Sequence, residues 1–520
     1  MDIPRMRRRT FLKTAGVLLA TAPLINRKPR ATAEVATFDP SFGTASQAVR
    51  AIRARIISAR ELTEHTYNRI KKYNPQINAF ITLIEDQAMA RASQADAALA
   101  AGNVWGPLHG LPILIKDQFS TAGVRTTSGS KRFEHRIPKE DAVAVARLKQ
   151  AGAIIIGKTN LPEFAADQQS YNEVAGTTNN PWDVRRTPGG SSGGGAAALA
   201  AGLGFLELAS DIGGSIRNPC HFCGIYGHKT TLDVVPGESP VPPAPGLVSP
   251  PTFMGVAGPM ARSAQDLQFV LAIIGGPAPA EAVAYRWSLP TARGTRLNDY
   301  RMRYVLHTPF CPLTSEVADV LSSAIDAVRK QGVELREGWP PGVNPEAMFE
   351  NYYFLLRARA ATTMKDEDLK RLRERGDSAL GYYAKRNLEA VTSSYRDWAM
   401  QTASRLKARA IWQDYFKNHD AFLMPGNFVP AFPHDHHMPL HERMINTPEG
   451  KRPYLDLFRW MAFATLTGCP ATVAPVGRTP GGLPVGMQIM GPYLEDATPI
   501  NIAGLMADVV GGFEAPPGYA

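Results

Sequence analysis

Cysteine is scarce in this chain: 520 residues carry four, Cys220, Cys223, Cys311 and Cys469. That is too few to staple a chain of such length, so a disulfide-dense scaffold is excluded and burial must hold the core. Cys220-His221-Phe222-Cys223 has the spacing of a redox or zinc-knuckle motif. A second ligand pair is missing, and a packed, reduced pair is favoured over zinc or a disulfide. Long apolar runs are absent beyond the first residues, which leaves no segment for stable membrane insertion. Basic runs interleaved with aromatics are absent too, so no nucleic acid is expected as a partner.

The formal net charge of +10 sits mostly at one end, because residues 1–33 hold eight Lys or Arg against one Asp, a net of +7. About +3 is left for the remainder, which gives no electrostatic case for a polyanion. Within the first segment, Arg8-Arg9-Thr10-Phe11-Leu12-Lys13 fits the twin-arginine export pattern. The apolar run from Ala15 to Ile25 is too short to span a bilayer, and Ala31-Thr32-Ala33 fits a small-residue cleavage site. Residues 1–33 are therefore expected to be a signal peptide, with residues 34–520 exported in a folded state to the periplasm or outside the cell.

No low-complexity linker divides that remainder, and one large domain is expected. Ser58-Ala59-Arg60-Glu61 fits a capping box opening a helix, continued by Leu62, Thr66 and Ile70. Strand-like segments follow at Ala79 to Ile84, Ile113 to Ile115, Ala153 to Ile156 and Phe205 to Leu208. Helical stretches such as Asp141 to Gln150 and Gly195 to Ala201 separate them. This alternation argues for a layered α/β fold. The proline-rich stretch Val235 to Pro251 reads as a stiff loop beside a pocket. From about Glu350 to Asn418 the chain turns helical and charged, with Arg357, Arg359, Lys365 and Lys370 expected on a solvated face. His434-Asp435-His436-His437 with His441 lies after Pro425 and Pro430, and reads as a loop at a pocket rim in preference to a metal site.

Glycine, by contrast, is concentrated where it can serve chemistry. Gly189-Gly190-Ser191-Ser192-Gly193-Gly194-Gly195 and Ser210-Asp211-Ile212-Gly213-Gly214-Ser215-Ile216-Arg217 place Ser191 and Ser215 in two glycine runs, 24 positions apart. Such runs bring amide N–H groups close to a ligand beside a hydroxyl, the layout of an acyl-transfer site. Upstream, Gly106-Pro107-Leu108-His109-Gly110-Leu111-Pro112-Ile113-Leu114-Ile115-Lys116-Asp117 ends a short apolar strand on a lysine.

Together these three pieces resemble the amidase signature family of Ser-Ser-Lys hydrolases. Further family patterns stand in order at Gly157 to Phe164, Thr178 to Trp182, Gly258 to Arg262 and Gly482 to Gln488. Two departures are visible: Ser210 where many members have threonine, and His228-Lys229-Thr230-Thr231 in place of a common Leu-Lys-Pro-Thr. The resemblance implies a single α/β domain with a central mixed β-sheet covered by helices. Its signature core would span about residues 106–262, and a helical insertion at about 350–418 would shape the substrate entrance.

It also implies roles. Ser215 would be the nucleophile, Ser191 a bridging hydroxyl after a cis Gly190-Ser191 peptide, and Lys116 the base and then the acid. Lys116 can act so only if desolvation brings its pKa well below the free value of ~10.4. Backbone N–H groups of Ile212, Gly213, Gly214 and Ser215 would receive the oxyanion. Asp211 and Arg217 read as a supporting ion pair. No metal and no cofactor are called for. The implied activity is hydrolysis of a small-molecule carboxamide or N-acyl amide to an acid and ammonia or amine, with ester or carbamate cleavage as the alternative. A homodimer is one option left open.

Rival patterns are weighed against context. Gly152 to Thr159 satisfies the P-loop expression, but its interior is itself an apolar strand and Asn160-Leu161-Pro162 follows in place of a helix start. Gly190-Ser191-Ser192-Gly193-Gly194 matches a nucleophile elbow with Ser192 as nucleophile, yet the strand that should precede it is missing. His109 reads as a turn histidine with local hydrogen bonds. A catalytically silent binding protein is opposed by the presence of all three catalytic-type residues. Within the family, an amidotransferase of the A type, feeding ammonia to tRNA, is placed behind a free-standing amidase, because the export pattern argues against it.

Overall fold

The computed structural model describes residues 38–242, 253–375 and 381–520; the twin-arginine segment and the later part of the proline-rich stretch lie outside them. The core is one sheet of eleven strands. In chain order these are β1 (Phe80–Leu83), β2 (Pro112–Lys116), β3 (Ile154–Thr159), β4 (Leu206–Asp211), β5 (Tyr226–Lys229), β6 (Val256–Ala261), β7 (Arg301–Tyr304), β8 (Glu334–Glu337), β9 (Ala421–Pro425), β10 (Ala471–Arg478) and β11 (Pro484–Met490). Across the sheet they run β1-β3-β2-β4-β6-β5-β10-β11-β9-β7-β8.

The sheet is mixed: β3, β2 and β4 are mutually parallel, whereas β4–β6, β5–β6, β5–β10 and β10–β11 pair antiparallel. Every residue of β2 and β3 is buried, which is why these strands read as near-continuous apolar runs without alternation. The parallel trio matters for function, because Lys116, Thr159 and Asp211 are the last residues of three adjacent strands. Ligands of α/β folds gather at such carboxyl ends.

Local chemistry explains the covering helices. Ser58 caps the helix Ala59–Ile77: Glu61 N–H donates to Ser58 Oγ at 3.0 Å while Ser58 N–H donates to Glu61 Oε2 at 2.8 Å. The helix Gly193–Ala200 has no polar side chain and is buried along its whole length. Glycine is required there, since a Cβ on Gly195 would fall 1.0 Å from Glu207 Oε2 of β4.

Apolar side chains fill two clusters. One lies around the sheet with its N-terminal and C-terminal helices; the other is aromatic, joining Phe310, Phe349, Tyr352, Trp412, Trp460 and Phe463. The aromatic cluster anchors the helices Pro345–Ala358, Tyr382–Val391 and Tyr395–Tyr415 to the body. This corrects the expectation of one solvated charged face. Lys365 and Lys370 are exposed, but Arg357 and Arg359 are half-buried, and Arg357 Nε donates to Asn387 Oδ1 at 2.6 Å. Packing of one helix on the next draws those two arginines inward while their tips find partners. All four cysteines are buried and free. Among the described residues, no helix is long and apolar enough to cross a membrane.

Candidate active site

Lys116 ends β2 with no exposure at all. Its Nζ lies 2.7 Å from Ser191 Oγ and 3.0 Å from Ser210 Oγ. The direction of this network is fixed from outside. Gln118 Nε2 donates to the Glu238 carbonyl at 3.2 Å, which turns its Oε1 toward Ser210, and the Ser210 hydroxyl donates to it at 2.5 Å. A hydroxyl has one proton. Ser210 can therefore only accept from Lys116, leaving the lone pair of a neutral amine free for the Ser191 hydroxyl. Burial lowers the Lys116 pKa to about 7, against the opposing pull of the Glu207 and Asp211 charges.

Ser191 is presented by a crowded loop. The Gly190-Ser191 peptide is cis. A Cβ on Gly190 would stand 2.6 Å from both the Gln168 carbonyl carbon and the Gln169 nitrogen, so only glycine lets the loop approach that backbone. Ser170 Oγ holds the turn, accepting from Gly193 N–H at 2.9 Å and donating to the Gly189 carbonyl at 3.0 Å. Ser192 N–H then donates to the Ser215 carbonyl at 3.1 Å, which ties the two glycine runs together.

The second run follows β4. The Asp211 carboxylate accepts from Gly214 N–H at 2.9 Å, from Ile216 N–H at 3.1 Å, and from Arg217 Nε and Nη2 at 3.0 and 2.7 Å. Burial works to raise the Asp211 pKa, but the Arg217 charge and these hydrogen bonds hold it at about 2. Arg217, itself fully buried, reaches on to the Met461 carbonyl, Gln488 Oε1 and Thr465 Oγ1.

One oxyanion donor expected from the sequence is corrected here: the Gly214 N–H is already committed to Asp211. The carbonyls of Ile212 and Gly213 are tied back by Tyr352 Oη and Gln168 Nε2, each at 3.2 Å. Ile212, Gly213 and Ser215 keep N–H groups that find no acceptor among the described residues. Phe458 and Met461 close over Gly213 and Gly214, giving the approach to Ser215 an apolar wall.

The rival motifs resolve by position. Gly152 to Thr159 is a turn leading into the buried strand β3, with Lys158 Nζ donating to the Phe119 carbonyl and to Thr121 and Thr126. Ser192 sits buried at the start of Gly193–Ala200, and its Oγ has no hydrogen-bond partner among the described residues. His109 bonds locally, accepting from Trp105 N–H at 3.1 Å and meeting the Ala95 carbonyl at 3.1 Å. In the histidine loop, His436 stacks on Tyr171 with ring centroids 3.7 Å apart and His437 pairs with Asp435 at 2.7 Å. A cleft of about 840 Å³ lined by Tyr73, Trp182, Arg186 and Tyr519 contains none of the catalytic-type residues.

Sequence reasoning did not find Ser170, Gln168, Gln118, Glu207 or the apolar cover of Phe458 and Met461. These reach the site from segments far apart in the chain, where no local pattern signals them. Ser210 alone was flagged, as a departure from threonine. The structure shows what the two residues share: a hydroxyl for Lys116.

Comparison with known proteins shows the family. The family model described as Amidase matches residues 61–499. The A subunit of glutamyl-tRNA(Gln) amidotransferase from Roseiflexus sp. (strain RS-1) is 35% identical over 486 residues, covering 88% of this chain and 94% of its own length. The crystal structure of an amidase superposes with a TM-score of 0.73 at 28% identity, covering 90% of this chain and 100% of the other. That of the corresponding Thermotoga maritima amidotransferase protein does so with a TM-score of 0.73 at 25% identity, covering 92% and 98%. Because the family match starts ahead of β1 and ends in the helix after β11, it takes in the whole sheet and both glycine runs, and the chain belongs to the amidase signature family.

Proposed function

We propose that the chain hydrolyses a carboxamide through an acyl-enzyme on Ser215. The observation that carries this is the fully buried Lys116 with its Nζ 2.7 Å from Ser191 Oγ. Ser215 Oγ attacks the amide carbonyl while its proton passes to Ser191, and the Ser191 proton passes to neutral Lys116. The N–H groups of Ile212, Gly213 and Ser215 receive the developing oxyanion, where one such donor is typically worth ~3 to 4 kcal/mol of barrier. Collapse breaks the C–N bond, and Lys116 returns its proton through Ser191 to the leaving amine or ammonia. Water then attacks the acyl-Ser215 ester, releasing the carboxylate and restoring the serine. A screen of small amides, anilides, carbamates and esters with wild type, S191A, S192A and S215A tests this. Amide turnover lost in S215A and retained in S192A supports it; the reverse refutes it.

A second reading is favoured by the comparisons over a free-standing amidase: an amidotransferase component of the A type, the name carried by relatives that match most of the chain. The chemistry on Ser215 would be the same, with ammonia as the released product. Partner subunits would then replace the homodimer, and tRNA would enter as a substrate of the assembly. Against it stands the Arg8-Arg9 pattern, which supports export of a self-sufficient enzyme. The screen separates the two, since ammonia release confined to glutamine and dependent on partner subunits supports the second reading, whereas turnover of simple amides by the isolated chain supports the first.

A further inference from the structure

The mechanism above leaves several buried acids unused, and Glu207 is one of them. Glu207, only 1% exposed, lies on β4 in register with Leu114 of β2. Side chains alternate along a strand, so Glu207 shares a face with Lys116. Thr159, the register partner of Lys116 on β3, donates its hydroxyl to Glu207 Oε1. Glu207 Oε2 has no hydrogen-bond partner among the described residues. Directly over it lies Gly195, the position where a Cβ would fall 1.0 Å from that oxygen. The site is thus shaped to admit a carboxyl group and to leave half of it unpaired, an arrangement that burial penalises strongly for a charged group standing alone.

The charged surroundings of Glu207 are few. From β2 comes Lys116; from the end of β4 comes Asp211, already paired with Arg217. The helix Arg217–Cys223 supplies the Cys220 thiol, which burial keeps protonated. β6 offers Met260, and the helix Gly193–Ala200 offers no titratable side chain. Lys158 of β3 is held elsewhere, by the Asp117 carboxylate at 3.7 Å and by hydrogen bonds to Phe119, Thr121 and Thr126. Lys116 is therefore the one cation of this group not already held by a carboxylate.

We propose that Glu207 is a positioning residue that fixes, through its charge and without touching substrate, the pH at which Lys116 becomes a base, with Thr159 as the hydroxyl that holds it. An ionised Glu207 favours the Lys116 ammonium, so it delays deprotonation to higher pH; a protonated Glu207 does not. Burial raises the Glu207 pKa to about 8, against the pull of Thr159 and Lys116, so the two groups change charge over one range and titrate as a pair.

This inference rests on Lys116 acting as base, and the experiment separates the two. The rate at which a fluorophosphonate phosphonylates Ser215, with loss of fluoride, is measured against pH for wild type, E207Q, T159V and K116A. In E207Q the acid limb should move to lower pH by about one unit or more. In T159V, which keeps the shape but leaves the carboxyl more easily protonated, it should move the same way by less. A limb unmoved in both variants, or moved to higher pH in E207Q, overturns the proposal even if K116A is inert. A lowered plateau with an unmoved limb means a purely structural Glu207 and overturns it as well. If E207Q does not fold, T159V decides alone. Undiminished labelling in K116A overturns the parent mechanism, and the inference with it.

Discussion

Lys116 Nζ and Ser191 Oγ are 2.7 Å apart with both side chains fully buried. A lysine in that position is useful only when neutral, and burial brings its pKa to about 7. The sign follows directly: the free base is present above that pH and is lost as pH falls through it. Amide hydrolysis should therefore decline on the acidic side near pH 7, read from kcat/KM against pH. A limb near the free lysine value of ~10.4 would contradict the neutral base.

The pair formed by Asp211 and Arg217 is buried and hydrogen-bonded on both sides. Removing one partner strands the other charge, so Asp211→Asn or Arg217→Met should cost about 3 to 5 kcal/mol. Urea unfolding of each variant checks this, and a loss under about 1 kcal/mol, as for an exposed pair, would contradict it.

Gly190 meets backbone atoms of Gln168 and Gln169 that have nowhere to go. Gly190→Ala should displace Ser191 and lower kcat at least ~100-fold, the scale expected for a misplacement of about 1 Å. Steady-state kinetics alongside a circular dichroism spectrum distinguish this from unfolding; near-normal kcat would contradict the loop geometry.

Much of the fold and of this site was legible in the sequence because its signals are local. The four early strands are apolar runs bounded by turns, and all four are found, with β2 continuing to Lys116 and β3 to Thr159. Ser58 and Glu61 sit three residues apart and form the capping box they spell. Ser191 and Ser215 stand inside glycine runs dense enough to be noticed without any structure. What was not legible depends on distant pairing. Gly214 looked like a free donor until Asp211 was seen to take its N–H. Arg357 looked solvated until Asn387 was found beside it. Glu207 is an unremarked strand residue until the sheet brings it to the face that holds Lys116.

The proposed export segment makes a separate prediction. Replacing Arg8 and Arg9 by lysine should leave active precursor in the cytoplasm, because twin-arginine recognition needs the pair. Cell fractionation with activity assays reads this. Mature enzyme still accumulating in the periplasm would refute the assignment.

The most direct test of the central claim is which serine a covalent fluorophosphonate labels, read by peptide mass spectrometry in wild type, S191A, S215A and K116A at one pH above the Lys116 pKa of about 7. A single adduct on Ser215 is expected in wild type, none in S215A, and a much slower adduct in K116A. S191A should retain more reactivity than K116A, since water can replace a bridging hydroxyl but not the base. An adduct on Ser192, or labelling of Ser215 at the wild-type rate without Lys116, would contradict it.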